Sequence, residues 1–148
     1  MAGAFLDIHV EGEKELLKAL DRLLTSVKNP EPAFKNIGES LLLSHEERWD
    51  KQIDPDGNAW EPLSDKYKAS KRKASSRNPN KILKLAGSLE DLNYRTSKDN
   101  LQLGTGAVYG ATHQFGDDDR GIKARPFLGL SKSDGESILE ILTEWVSK

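Results

Sequence analysis

A chain of 148 residues fits one domain, and a domain of that size buries roughly 68–70% of the surface its unfolded form exposes, so one core needs no staples. With 31% charged and 36% hydrophobic residues that core is lean, and much of the chain lies at a surface or in loops, part of it open to cover by a partner. Lys and Arg number 22 against 24 Asp and Glu, a formal charge of -2 that argues against coating DNA, and the absence of cysteine excludes disulfides, thiolate metal sites and cysteine nucleophiles.

The segment Met1 to Phe5 has neither a basic start nor a long apolar run, and no stretch approaches the length of a membrane span. The expectation is a protein without membrane attachment, held in the cytosol until it is assembled. From Ala4 to Val10, Leu6, Ile8 and Val10 alternate as in a half-buried strand. After Gly12, Leu16, Leu17, Leu20, Leu23, Leu24 and Val27 recur at helical spacing, with Glu13 and Glu15 in the first turn where the dipole favours anions.

Asn29-Pro30-Glu31-Pro32 breaks the chain, and a second helix begins near Pro32. Phe34, Ile37, Leu41, His45, Arg48 and Trp49 form its inner stripe. Leu42 and Leu43 widen that stripe, which predicts packing on two sides and a central place in the core. Asp54-Pro55-Asp56-Gly57-Asn58 is a dense turn signal, followed by Trp60, Pro62 and Leu63 as an apolar clip.

Ser64 caps a short basic helix. The stretch from Lys66 to Lys84 holds Lys66, Lys68, Lys71, Arg72, Lys73, Arg77, Lys81 and Lys84 with no acid among them, and its middle lacks apolar periodicity, as a mobile arm does. Ile82, Leu83, Leu85, Ala86 and Leu89 mark a short helical or turn element around Gly87. Leu92, Tyr94 and Thr96, a turn at Asp99-Asn100, then Leu101, Leu103 and Thr105 spell a β-hairpin. One short helix is expected in AVYGATHQFG, a polar loop from Gly116 to Gly121 and an extended stretch through Arg125 to Leu128. A last helix buries Ile138, Leu139, Leu142, Trp145 and Val146.

This order lacks the strand-helix alternation of a doubly wound sheet. The expected fold is α+β, a small mostly antiparallel sheet packed against two or three long helices, with a long mobile central loop. Residues 1–148 read as a single domain carrying a basic flexible arm at about 66–84.

Candidate chemistry is sparse. His9, His45 and His113 lie apart on a strand and two helices, without the spacing that puts two ligands on one metal. His113 beside Gln114 has the makings of a general base, but its segment has no serine elbow or carboxylate to complete a triad. Asp54, Asp56, Asn58 and Asp65 touch a calcium-loop pattern whose glycine comes two places early and whose final glutamate is missing. Asp117-Asp118-Asp119 reads as a solvated acidic loop. In GTGAVYG, Tyr109 stands where a dinucleotide loop needs its third glycine and no P-loop lysine follows, so the glycines serve a backbone turn. The basic arm is the feature suited to touching DNA or an acidic protein, through Lys68, Lys71, Arg72, Lys73 and Arg77.

The motifs stand in a distinctive order. A PDG-x-x-W turn (Pro55, Asp56, Gly57, Trp60) precedes a basic variable loop and an IL-x-x-x-G-x-L segment (Ile82, Leu83, Gly87, Leu89). A hairpin ending in Gly104-Thr105 follows, then Y-G-A-x-H-Q-F-G (Tyr109, Ala111, His113, Gln114, Phe115, Gly116) and R-P-F-L-G-L (Arg125, Pro126, Phe127, Leu128, Gly129). From the second helix to the last, this resembles the virion-morphogenesis family of Mu-type tailed phages and prophages, the tail-completion or head-tail joining group. Gly110, where alanine is more usual, and Leu85-Ala86, where a polar residue is common, are mild departures.

The resemblance implies a structural virion protein acting through protein-protein contacts, with no catalytic step, no cofactor and no metal. It implies other tail or head-neck proteins as partners, and residence in the bacterial host cytoplasm and then in the virion; the further expectation is a homo-oligomer that forms a ring, or joins one, at the head-proximal end of the tail. Trp60, Tyr109, Phe115, Arg125 and Phe127 are of the types that anchor interfaces, though burial in the core explains Trp60 and Tyr109 equally well. The alternative is a nucleic-acid-binding module using the 66–84 arm; a hydrolase centred on His113 is the least supported.

Overall fold

The computed structural model describes residues 29–73, 80–83 and 89–147, together with positions 14, 17, 18 and 21. The strand expected over Ala4 to Val10, most of the helix that follows it, the middle of the basic arm and the Gly87 element lie outside the described residues. The rest is α+β: four helices and a two-stranded antiparallel sheet.

Helix α1, Glu31–Lys51, is the centre. Prolines at its start match the first turn, where the amide would be unpaired anyway, and Glu31 in the first turn with Arg48 and Lys51 in the last suit the dipole. Ala33, Phe34, Ile37, Gly38, Leu41, His45, Arg48 and Trp49 are buried, the expected stripe with two small residues added. Leu42 is partly buried against the core and widens the stripe as expected, whereas Leu43 is 63% exposed and lies outside it.

Two elements pack on α1. The hairpin of β1, Leu92–Thr96, and β2, Leu101–Thr105, pairs Leu92 with Thr105 and Thr96 with Leu101. Gly38 is what lets it close on the helix: a Cβ there would lie 2.6 Å from the Tyr94 ring. Tyr94 then donates its hydroxyl to Glu39 at 2.7 Å.

The second element is the C-terminal helix α4, Lys132–Val146, which opens with a capping box: Ser131 Oγ accepts from the Asp134 amide at 3.1 Å, and Asp134 Oδ2 from the Ser131 amide at 2.8 Å. Ile138 and Leu142 are buried, while Leu139 and Val146, expected inside, are 44% and 42% exposed because they fall beyond the edge of the buried arc. A short basic helix α2, Asp65–Lys73, comes between α1 and the hairpin in the chain, and a short helix α3, Gly110–Phe115, between the hairpin and α4. The stretch from Arg125 to Leu128, expected to be extended, has no regular element and bends at Leu128 and Gly129; among the described residues it joins no strand ladder.

The core joins Trp49, Trp60 and Phe127 by edge-to-face contacts, with centroids 5.3 Å and 5.2 Å apart, each worth about 0.5–1.5 kcal/mol beyond area burial. A polar knot sits beside them. Arg48 pairs with Asp134 at 2.7 Å, both side chains under a tenth exposed, and also donates to Ser44 Oγ and to the Gly129 carbonyl. Burial alone would raise the Asp134 pKa, but the Ser131 amide, the Ser44 hydroxyl and Arg48 outweigh it and hold the carboxyl below its usual range. His45, 1% exposed, donates from Nδ1 to the Leu41 carbonyl at 2.6 Å and accepts at Nε2 from the Gly129 amide at 3.3 Å, roles that one neutral tautomer fills. Burial and then the neighbouring Arg48 push its pKa down to about 4.

Because the folded chain refuses a proton at His45 that the unfolded chain takes up below 6.5, stability present above that pH is lost as pH falls toward about 4. The shift corresponds to on the order of 3 kcal/mol. The loss from Asp134 comes at still lower pH, below its unfolded value of 3.8. In urea titrations the wild type should therefore lose more stability between about pH 7 and about pH 4.5 than His45→Gln, which keeps a donor and an acceptor; equal losses would refute this role for His45.

Candidate functional site

The region where most of the sequence motifs converge is α3 and the irregular segment from Arg125 to Leu130, a strut tied to its neighbours by side-chain hydrogen bonds. Gly110 lets α3 start tight against the hairpin, since a Cβ would meet Thr105 Cγ2 at 2.8 Å. At the other end Gly116, with φ of 77° and ψ of 178°, holds a backbone shape open in practice to glycine alone, where a Cβ would meet the Ala124 amide nitrogen at 2.8 Å. The chain's return is sealed by the Arg125 amide donating to the His113 carbonyl at 2.7 Å.

Gln114 is the main brace. Its Oε1 accepts from the Phe127 and Leu128 amides at 2.9 and 3.0 Å, and its Nε2 donates to the Leu128 carbonyl at 2.9 Å, so one side chain replaces the strand partner that the strut lacks. From the opposite side Trp60 Nε1 donates to the Pro126 carbonyl at 2.7 Å. Arg125 donates to the carbonyls of Glu61 and Pro62 at 2.8 and 3.3 Å, and Arg48 and His45 bind Gly129. The Asp54 turn closes on itself, with the Asp54 carboxylate accepting from the Asn58 backbone and side-chain amides, and its Pro55 lies against Gly129.

The five aromatic and arginine candidates therefore separate. Trp60 and Phe127, 4% and 2% exposed, sit in the core, so truncating Phe127 opens a cavity rather than sparing the fold, and neither presents a surface. Arg125 is half-buried and engaged with the Trp60 loop. Tyr109 and Phe115 are 42% and 67% exposed at the two ends of α3, next to Val108 at 64%. Only these two of the five stand outward on the braced segment.

The basic candidates separate too. Lys71 is 3% exposed and turns its ammonium onto the Lys81 carbonyl at 2.8 Å, and burial lowers its pKa, so it is no free contact for phosphate. Arg72 is exposed and donates to Asn80 at 3.3 Å, and Lys68 is half-buried. Lys73 ends α2, and Arg77 lies outside the described residues.

His113 stacks edge-on with Tyr109 at 5.9 Å, and its Nδ1 is buried without a hydrogen-bond partner among the described residues. Burial, then Arg125 and Arg120, lower its pKa. The nearest aspartate in the motif loop, Asp117, is bound to Arg120 at 2.6 Å, which also reaches Thr112, so that carboxylate tethers the loop. Among the described residues no three His, Asp or Glu side chains gather to hold a metal ion. No described helix is long and apolar enough to cross a membrane.

Sequence reasoning missed the bracing role of Gln114 and the Arg48–Asp134 pair. The Ser131-x-x-Asp134 spacing was a readable capping signal; nothing local tied Arg48 to a residue 86 positions away.

Compared with known proteins, the profile of the phage virion morphogenesis family matches residues 12–147. The chain is 31% identical over 151 aligned positions to protein G of Escherichia phage Mu, named as a candidate capsid assembly protein, with 96% of each chain covered. It is 33% identical over 132 positions to the Mu-like prophage FluMu G protein 1 of Haemophilus influenzae, covering 84% of this chain and 85% of that one. No solved structure matches.

Replacing Gln114 tests the brace. Gln114→Leu strips three part-buried backbone groups of their partner and should cost at least about 2 kcal/mol, at roughly 1–3 for each group left unsatisfied. Gln114→Glu keeps the acceptor but sets a carboxylate against the Leu128 carbonyl, so its deficit relative to wild type should shrink as pH falls and the acid is protonated. Urea midpoints read both, and a pH-independent Glu deficit would count against the paired geometry.

Proposed function

The chain belongs to the phage virion morphogenesis family, and from that membership we propose that it completes the phage tail or joins it to the head through protein-protein contacts. As a member of that family it is a structural protein of phage assembly. The finer reading rests on one observation: α3 and the strut are braced by Gln114 and Trp60, yet Tyr109 and Phe115 stand exposed at the two ends of α3. A rigid segment offering aromatic side chains loses little conformational entropy on binding, which suits a contact made once and kept. The proposed partner of this face is another protein of the tail or neck, met in the host cell before the finished particle forms.

Because the Mu relative is named for capsid assembly, the deciding experiment is electron microscopy of particles from a phage lacking this gene. Filled heads beside separate tails support tail completion or joining; absence of heads overturns it in favour of a capsid role. In the same phage, complementation with Tyr109→Ser/Phe115→Ser should lower the yield of infectious particles roughly tenfold or more. The purified variant should melt within about 4 °C of wild type, as exposed positions do. An unchanged yield would remove this face from the contact.

A further inference from the structure

The outer side of α4 is a face in search of a partner. While Ile138 and Leu142 pack against α1, Leu139, Thr143 and Val146 recur at i, i+4 and i+7 on the open side, and Leu139 and Val146 are more than two-fifths exposed. Thr143 Oγ1 already donates to the Leu139 carbonyl at 2.7 Å, so its hydroxyl is engaged and the stripe is effectively apolar. Along its edge run Glu136, Glu140 and Glu144, four residues apart and all exposed.

Among the described residues none of the three glutamates enters an ion pair. Like charges at i, i+4 repel, and the last turn of α4 holds Glu144 and no basic residue, opposing the negative end of the helix dipole. Helix α2 carries the reverse pattern, with Lys66, Lys68, Lys71, Arg72 and Lys73 against one acid, Asp65, in nine residues. Lys68 and Arg72 have the same four-residue spacing as the glutamates, and beside them Tyr67 is 47% exposed. The net charge is only -2, yet opposite charges are sorted onto two helices, and the helix packed on α4 is α1, not α2.

We propose that the outer face of α4 is the seat for α2 of a second copy of this chain, with Tyr67 on the Leu139–Val146 stripe and Lys68 and Arg72 along the glutamate ridge. Each subunit offers one face and uses the other, a head-to-tail contact that closes into a ring when its rotation permits. The inference rests on the assembly role proposed above and names the faces by which copies meet.

The test is sedimentation velocity of the full chain across a concentration series at low and high salt. Wild type should associate at low salt and roughly tenfold or more weakly at high salt, where exposed pairs are screened. Glu136→Lys/Glu140→Lys/Glu144→Lys and Lys68→Glu/Arg72→Glu should each be monomeric alone, yet their equimolar mixture, and a chain bearing both sets, should associate again. Should the lysine variant not fold, Glu136→Gln/Glu140→Gln/Glu144→Gln serves in its place and should also weaken association. A wild type that stays monomeric at low salt, reversed variants that keep its mass, or a mixture that fails to reassociate overturns the proposal. So does a monomeric wild type that binds DNA through Lys68 and Arg72. The microscopy above separates the two readings: unjoined heads and tails with a monomeric protein would keep the assembly role and discard this interface.

Discussion

A single guanidinium holds the molecule together. Arg48 leaves the last turn of α1, pairs with Asp134 at the start of α4 and binds the Gly129 carbonyl of the strut, so α1 meets both the strut and the start of α4, 81 and 86 positions further along the chain, at one planar group. Buried pairs are poor sources of net stability, because desolvating both charges offsets most of their attraction, but removing one partner costs about 3–5 kcal/mol. What such a pair supplies here is register. Asp134 is fixed by its own capping box, so α4 has one rotation and one height against α1 that satisfies Arg48.

The strut inherits its position from the same knot. An irregular segment without a strand neighbour leaves its amides and carbonyls without partners, and here side chains take the place of the missing ladder. Gln114 provides three bonds, Trp60 one, and Arg48 and His45 the last two at Gly129. Because Gln114 stands on α3, fixing the strut fixes α3, and with it the orientation of Tyr109 and Phe115. The order of dependence runs from a buried ion pair through a braced loop to an exposed pair of aromatic rings.

Periodicity made the larger elements legible. The stripe of α1, the Asp54 turn, the Ser64 start of α2, the hairpin and the two later helices all follow from spacing and turn chemistry that act over a few residues. What periodicity missed depended on distance. Leu139 and Val146 read as core because apolar spacing takes no account of how narrow the contact with α1 is, and Leu43 misled in the same way. Trp60 and Phe127 are interface types by composition, yet a lean core needs large rings, and these two with Trp49 fill it. Lys71 read as a solvated cation until the chain folded its carbonyl partner Lys81 back onto it. The family order of motifs was legible in full; the division of those motifs between braces and surface was not, because Gln114, Arg125 and Tyr109 differ in what lies across from them rather than in type.

That division bears on how a small, charged chain can serve in a large particle. Binding is costly when the bound shape must first be selected from many, and a protein with few apolar residues cannot offset that with a broad greasy surface. Placing polar side chains such as Gln114 and His45 where they satisfy backbone groups gives rigidity without enlarging the core. The surface is then free to carry what recognition requires: two aromatic rings at the ends of α3, and opposite charges sorted onto α4 and α2. On the proposed reading, rigid presentation and charge sorting address different partners. Aromatic burial suits a permanent contact with a dissimilar protein, whereas sorted charges steer like copies into one orientation and disfavour the reverse, in which glutamate ridge would meet glutamate ridge.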